Sequence, residues 1–293
     1  MSAKYPIIAI TGSSGSGTSS VMKTFDKIFR REGVQAVMIE GDSFHRYDRQ
    51  TMLEKQREAE AAGNQNFSHF GLETNLLSEL EELFKSFSET GQGQHRRYLH
   101  NSKEAQVYRQ PAGTFTPWEP IPEGTELLFY EGLHGAVSNA QFNIAQYPDL
   151  MIGVTPVTNL EWTQKILRDS SARGYSPETV TDTILRRMPD YVNHICPQFS
   201  NTHVNFQRVP MVDTSNPFAA RDIPLADESM LVIRFAQTRE VDFPYLLNMI
   251  SGSFMSRANT LVVPGGKMQL AMQLIFTPYI WRLMKKRKKA LEC

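Results

Sequence analysis

Ile7-Ile8-Ala9-Ile10-Thr11-Gly12-Ser13-Ser14-Gly15-Ser16-Gly17-Thr18-Ser19 is the stretch that decides the fold. Its first five residues are a short β-rich apolar run, the pattern of a parallel strand buried on both faces. From Thr18 to Arg31 the apolar residues Val21, Phe25, Ile28 and Phe29 recur at helical spacing, and Gly33 supplies a stop. A Gly/Ser loop therefore joins a strand to a helix. Glycine tolerates positive φ, so successive backbone N–H groups can turn inward around a phosphate at the positive end of the helix. Residues 12–19 match the template G-x-x-x-x-G-K-[ST] at both glycines and at Ser19, the hydroxyl that binds Mg²⁺ in that template. Thr18 stands where the template has lysine. The alternative reading is a plain Gly/Ser turn.

Outward from this loop the chain alternates strand and helix. Ala36–Glu40, Leu127–Tyr130 and Leu150–Thr155 read as strands. Residues 78–87 read as a helix with Leu80, Leu83, Phe84 and Phe87 on one face. Thr158-Asn159-Leu160-Glu161 reads as a capping box that opens a further helix. Ser176-Pro177 opens another, which Pro189 should kink or break. Val204–Phe206, Val209–Val212, Met230–Phe235 and Leu261–Val263 are β-like, and a last amphipathic helix from about Lys267 to Met284 contains Pro278. The expected class is α/β, a mostly parallel sheet of the P-loop NTPase type with helices on both faces. One domain over 1–293 is expected, with lid or substrate inserts near 43–75 and 90–125, since loops of that length are commonly functional.

Bulk composition narrows the function. The 293 residues are 41% apolar and 21% charged, and 31 basic residues balance 31 acidic ones. Neutral balance gives no electrostatic reason to expect nucleic acid as a partner. No apolar run reaches the length needed to span a bilayer. Cys196 and Cys293 are the only cysteines, which suits a reducing cytoplasm. The run Lys285-Lys286-Arg287-Lys288-Lys289 reads as a solvated tail.

Ligands of open α/β sheets gather at the carboxyl ends of strands. Asp42, in Glu40-Gly41-Asp42-Ser43-Phe44-His45-Arg46, and Glu131, in Tyr130-Glu131-Gly132, follow two of the strands. A carboxylate there can hold Mg²⁺ or take the proton of an acceptor hydroxyl; each can equally be a turn or solvated strand end. If phosphoryl transfer occurs, the missing lysine must be compensated. Lys165, Arg168, Asp169 and Arg173 fall within an arc of roughly 140° on one helix. Three cations around one carboxylate can clamp polyphosphate, or can be a solvated face of i,i+4 pairs. His45, Arg49, Arg96, Arg97, Tyr98 and His100 lie in the two inserts and suit a phosphorylated, hydroxylated acceptor.

Taken in order, the lysine-free loop, Glu40–Arg46, Tyr98-x-His100, Phe129-Tyr130-Glu131-Gly132-Leu133-His134-Gly135, Arg168-Asp169-x-x-x-Arg173-Gly174 and Asp213-Thr214-Ser215-Asn216-Pro217-Phe218 resemble the bacterial-type phosphoribulokinases of the phosphoribulokinase/uridine kinase superfamily. Uridine kinases share part of the pattern, but their loop normally keeps the lysine. The resemblance implies transfer of the ATP γ-phosphoryl to the C1 hydroxyl of D-ribulose 5-phosphate, giving ribulose 1,5-bisphosphate in the Calvin cycle. It implies Asp42 as general base, Ser19 and Glu131 toward Mg²⁺, and Asp169 in metal binding or catalysis. It implies Gly12, Ser13, Ser14, Gly15, Ser16, Gly17, Thr18 and Ser19 around ATP. Lys165 and Arg168 would stabilise the transferring group, and His45, Arg49, Tyr98, His100 and Arg173 would hold the sugar phosphate. A further basic residue expected after Arg49 is Leu53 in this chain, with Lys55 nearby, and that contact is not carried over. The resemblance further implies a homo-octamer, NADH as activator and AMP as inhibitor, bound by Arg31, Arg234 and Arg257. Plant-type relatives are switched by a disulfide near the loop; no cysteine precedes Cys196. A nucleoside kinase and a non-catalytic nucleotide binder are the competing readings.

Overall fold

The computed structural model describes residues 3–13, 18–155 and 157–292, without the side chains of 18–20, 172 and 173. Its first half runs β1 (Ile7–Thr11), α1 (Thr18–Glu32), β2 (Ala36–Glu40), α2 (Arg49–Ala61), α3 (Leu77–Thr90), β3 (Gln94–His95), α4 (Ser102–Tyr108), β4 (Glu119–Pro120) and β5 (Leu127–Gly132). The second half runs β6 (Leu150–Val154), α5 (Thr158–Arg173), α6 (Pro177–Asp190), β7 (Val204–Pro210), β8 (Ser229–Phe235), α7 (Phe243–Met249), β9 (Phe254–Arg257), β10 (Thr260–Pro264) and α8 (Met268–Glu292).

Eight strands form one sheet in the order β2-β5-β1-β6-β7-β8-β10-β9. β2, β5, β1, β6 and β7 are parallel, and the last three strands continue antiparallel. All five residues of β1 are buried, so the strand has helices over both faces. Alternation along a strand sends neighbours to opposite sides. Ile8, Ile10 and Phe129 pack with α1 and α8, whereas Ile7, Ala9, Leu128 and Tyr130 pack with α3. Phe25 of α1 lies 4.9 Å, ring to ring, from both Phe129 and Phe276, pinning α1 and α8 to the sheet.

Several local expectations change. Val209–Val212 is not a separate strand; it merges into β7, which ends at Pro210. The α-helical part of α6 ends at Asp190, one residue past Pro189, and gives way to a π turn over Tyr191–Ile195, so the interruption expected at Pro189 takes that form. Residues 43–75 contain α2, and 90–125 contain β3, α4 and β4. The basic run 285–289 is no tail but the last turns of α8, where Arg287 Nε donates to the Glu126 carbonyl at 3.2 Å.

Candidate active site

The site is built at the carboxyl ends of β1, β2 and β5. Gly12 N donates to the Gly132 carbonyl at 3.2 Å, which joins the start of the phosphate loop to the end of β5. Thr11 Oγ1 donates to Leu133 O at 3.1 Å and lies 3.2 Å from Gln198 Oε1. Gln198 in turn accepts from Ala136 N and donates to Leu133 O and His194 O. A buried amide thus fixes the segment after β5 to the strand that feeds the loop. Ser14, Gly15, Ser16 and Gly17 lie outside the described residues, as do the side chains of Thr18 and Ser19, whose backbone opens α1.

Ser13, fully buried, hydrogen-bonds the Glu161 carboxylate. This overturns the capping-box reading. The N-cap of α5 is Val157, with no side-chain cap bond, and Glu161 turns across to the phosphate loop. The sequence pattern was right about where the helix starts to within a residue; it could not see a competing partner 148 residues away.

β2 and β5 are parallel neighbours with Glu40 opposite Glu131, and Asp42 follows two residues on, in the turn after β2. Just beyond that pair the two backbones almost touch. A Cβ on Gly41 would lie 2.6 Å from Tyr130 Oη and 2.7 Å from Gly132 Cα, so both positions require glycine. The Tyr130 hydroxyl is pushed well up in pKa by burial and by Glu131, and it receives the backbone N–H of His134. The Asp42 carboxylate stays partly exposed and is flanked by two imidazoles: His45 Nε2 at 3.6 Å and His100 Nε2 at 3.9 Å. Their protonation differs. Burial lowers the His45 pKa against the pull of Asp42, and Arg187, His100 and Arg96 add to the lowering. His100 is raised, by its bond to Glu40 at 3.4 Å and, against burial, by Asp42. The carboxylate therefore has a neutral ring beneath it and a readily charged one beside it.

The inserts assemble around this turn. His45 stacks on His69, centroids 4.3 Å apart, and Tyr98 meets His100 edge-on at 4.9 Å. Arg49 Nη2 donates to the His100 carbonyl at 2.8 Å, and its guanidinium also meets the Tyr98 hydroxyl. Arg96 has a different job from the one its residue type suggests. It donates to the carbonyls of Ser43 and His45, 2.8 Å each, with its guanidinium 3.7 Å over Phe115 and 4.8 Å over Trp118. It fastens one insert to the Asp42 turn through two main-chain carbonyls.

Across the cleft, α5 carries the cations. Lys165 Nζ is 2.8 Å from Asp169 Oδ2 and Arg168 Nε is 2.9 Å from Asp169 Oδ1, with Lys165 and Asp169 both buried. Arg187 of α6, with its guanidinium 4.9 Å over the Phe70 ring, adds its field to Asp169, Asp42 and Glu161. Burial would raise Asp169, but Arg168 and Lys165 hold it below its usual range. Lys165 is lowered to about 8, by burial and by Arg187, which together outweigh Asp169. Burial raises Glu161 to about 7 despite Ser13, Lys165, Arg187 and Arg168. Lys165, Arg168 and Arg187 thus bring three cations to two buried acids, Asp169 and Glu161, an arrangement that suits a polyphosphate.

Of the residues singled out from sequence, Asp42, His45, Arg49, Tyr98 and His100 come together on one side, and Lys165, Arg168 and Asp169 on the other. Arg173 ends α5, its side chain outside the described residues. Arg234 and Arg257 both face Thr260 across neighbouring strands and are exposed. Arg31 pairs with Glu32 and donates to Gln273 and Thr277 of α8. Arg187, His69 and Glu161 were not legible as site residues. Nothing in the residues around Arg187 marks it out, and only the packing of α6 against Phe70 turns it inward.

A phosphate-loop strand–helix, a base-like Asp42 and a cationic helix opposite it define an ATP-dependent phosphotransferase of the P-loop class. The model of the "Phosphoribulokinase / Uridine kinase family" matches residues 7–215. The chain is 68% identical to "Phosphoribulokinase, chromosomal" of Cupriavidus necator over 292 residues, 100% of each chain. It is 61% identical to the "Phosphoribulokinase" of Nitrobacter vulgaris over 287 residues, 98% of this chain and 99% of the other. The solved structure "phosphoribulokinase from Rhodobacter spheroides" superposes with a TM-score of 0.90 at 57% identity, covering 98% of this chain and 100% of that one. The chain belongs to the phosphoribulokinase/uridine kinase family.

Proposed function

We propose that this chain phosphorylates the C1 hydroxyl of D-ribulose 5-phosphate with ATP, releasing ribulose 1,5-bisphosphate and ADP for the Calvin cycle. Full-length identity to phosphoribulokinases supports the acceptor. The observation that carries the chemistry is the partly exposed Asp42 between a neutral and a readily charged histidine, opposite Lys165, Arg168 and Asp169. Asp42 takes the acceptor proton, and Lys165 and Arg168 meet the charge that develops on the transferring group, replacing the lysine absent at Thr18. His45, Arg49, Tyr98, His100 and Arg173 hold the sugar phosphate. Among the described residues no cluster of three His, Cys, Asp or Glu could cage a metal. Mg²⁺ is commonly held by one or two carboxylates together with substrate phosphates, and Glu131 at the end of β5 and Asp169 on α5 are carboxylates of that kind. Ser19, Glu131 and Asp169 would hold it, and it would neutralise phosphate charge when bound.

Regulation extends the same reading. NADH as activator and AMP as inhibitor would bind through Arg31, Arg234 and Arg257, in a cytoplasmic homo-octamer with neither nucleic acid nor membrane as partner. Exposure of Arg234 on β8 and Arg257 on β9, on either side of β10, supports phosphate contacts by their guanidinium forks. Among the described residues no helix is long and apolar enough to cross a membrane. A coupled ADP-release assay with ribulose 5-phosphate and uridine side by side tests the activity. Turnover of uridine alone would replace this reading with a nucleoside kinase, and turnover of neither with a nucleotide binder.

A further inference from the structure

Glu161 is the buried acid that the proposed chemistry leaves without a role. It is 6% exposed, in the first turn of α5, and neither caps the helix nor faces solvent. The ammonium one turn on, Lys165, makes its hydrogen bond to Asp169 instead. The described hydrogen-bond partner of Glu161 is Ser13, itself fully buried, the second residue of the Gly12–Ser19 phosphate-loop motif. The groups that face the carboxyl are Ser13 from β1's end, Lys165 and Arg168 from α5, Arg187 from α6, and Tyr191 and Cys196 from the turn after it.

A carboxylate beside a loop meant for polyphosphate has the wrong charge for binding, and burying it is unfavourable. What it supplies is geometry. With no lysine in the loop, the charge that meets the transferring phosphoryl comes from a different element, α5. The separation between loop and α5 then becomes a catalytic variable. We infer that Glu161 is a positioning residue: its carboxyl holds Ser13, and with it the phosphate loop, at a set distance from Lys165 and Arg168 on the same helix. Its raised proton affinity fits this role. The protonated acid keeps the contact to Ser13 and removes the repulsion toward ATP, so ATP binding favours the protonated form.

The inference rests on the kinase reading, but the two fail separately. Absence of phosphoryl transfer by the unaltered enzyme would end the reading, whereas the inference is judged on ATP binding without acceptor, by calorimetry, and on ratios between variants. Glu161→Ala and Ser13→Ala should each weaken ATP binding and lower kcat about tenfold, the loss of one buried hydrogen bond. The double variant should be no worse than either single one. KM for ribulose 5-phosphate should stay within about twofold, because that site lies on the β2 side. Glu161→Gln, which still accepts from Ser13, should recover most of the loss. Between pH 6 and 8 the unaltered enzyme should lose about fivefold more ATP affinity than Glu161→Gln, the nucleotide's own ionisation being common to both. ATP affinities of both single variants within about twofold of the unaltered enzyme would overturn the inference, as would additive losses in the double variant. So would a Glu161→Gln enzyme as weak as Glu161→Ala with the same pH slope as the unaltered protein. Should Glu161→Ala fail to fold, Ser13→Ala and the pH comparison with Glu161→Gln decide it.

Discussion

Raising the pH should switch off Lys165 before it loosens the fold. Its ammonium is buried, 2.8 Å from Asp169, and its pKa is lowered to about 8 from an ordinary 10.5. In the nucleotide-free enzyme about nine-tenths of Lys165 is charged at pH 7, half at pH 8 and about one-eleventh at pH 9. If that charge meets the transferring phosphoryl, kcat/KM for ATP should fall about tenfold from pH 7 to pH 9, since this ratio reports groups of the free enzyme. Stability runs the other way for this group. Between pH 8 and 10.5 the unfolded chain binds more protons at Lys165 than the native one, so the group's contribution to stability grows as the pH rises and is lost as it falls through 8. Loss of rate with no loss of melting temperature is therefore the signature. Lys165→Arg stays charged throughout and should flatten the alkaline limb, at a lower rate because a planar guanidinium does not reproduce the ammonium's position. Steady-state kinetics at saturating ribulose 5-phosphate, with melting curves at each pH, measures both. A level kcat/KM from pH 7 to 9, or an unchanged limb in Lys165→Arg, would refute the assignment.

Four further outcomes are expected. Asp42→Asn should bind ATP nearly as before, by calorimetry, and lose about 10²–10⁴-fold in kcat as a removed general base does; a variant keeping half the rate would end that role. Neutralising Lys165 or Arg168 to Met should lower kcat far more than the same change at Lys23, exposed on α1, and equal small effects would make α5 a merely solvated face. Arg96→Ala removes two charged hydrogen bonds and two ring contacts, a loss of about 3 kcal/mol that should show as a lower melting temperature and a raised KM for ribulose 5-phosphate. NADH titrations with and without dithiothreitol should show activation by NADH and little effect of reductant, and Arg31→Ala, Arg234→Ala and Arg257→Ala should lose the response before the basal rate.

Local sequence was enough for the framework. Period-two and period-3.6 patterns with glycine stops are properties of a few neighbouring residues, so β1, α1, β2, β5, β6 and α6 were legible within a residue or two of their ends. The strand-end carboxylates Asp42 and Glu131 and the cluster on α5 were legible too, because strand ends and helix faces follow from the same periodicities. Partners distant in the chain were decided only by the tertiary structure. Glu161 reads as a cap within its own four residues, yet its carboxyl lies against Ser13, because β1 and β6 are neighbours in the sheet. Arg96 reads as a phosphate ligand until the inserts close, when its donors meet the carbonyls of Ser43 and His45. Arg187 carries no signal in its own stretch of sequence, and only the packing of α6 brings it over Phe70, toward Asp169. In each case the residue type set the forces the side chain could exert. Chain topology, which brings residues more than fifty positions apart into contact, chose the group on which they act.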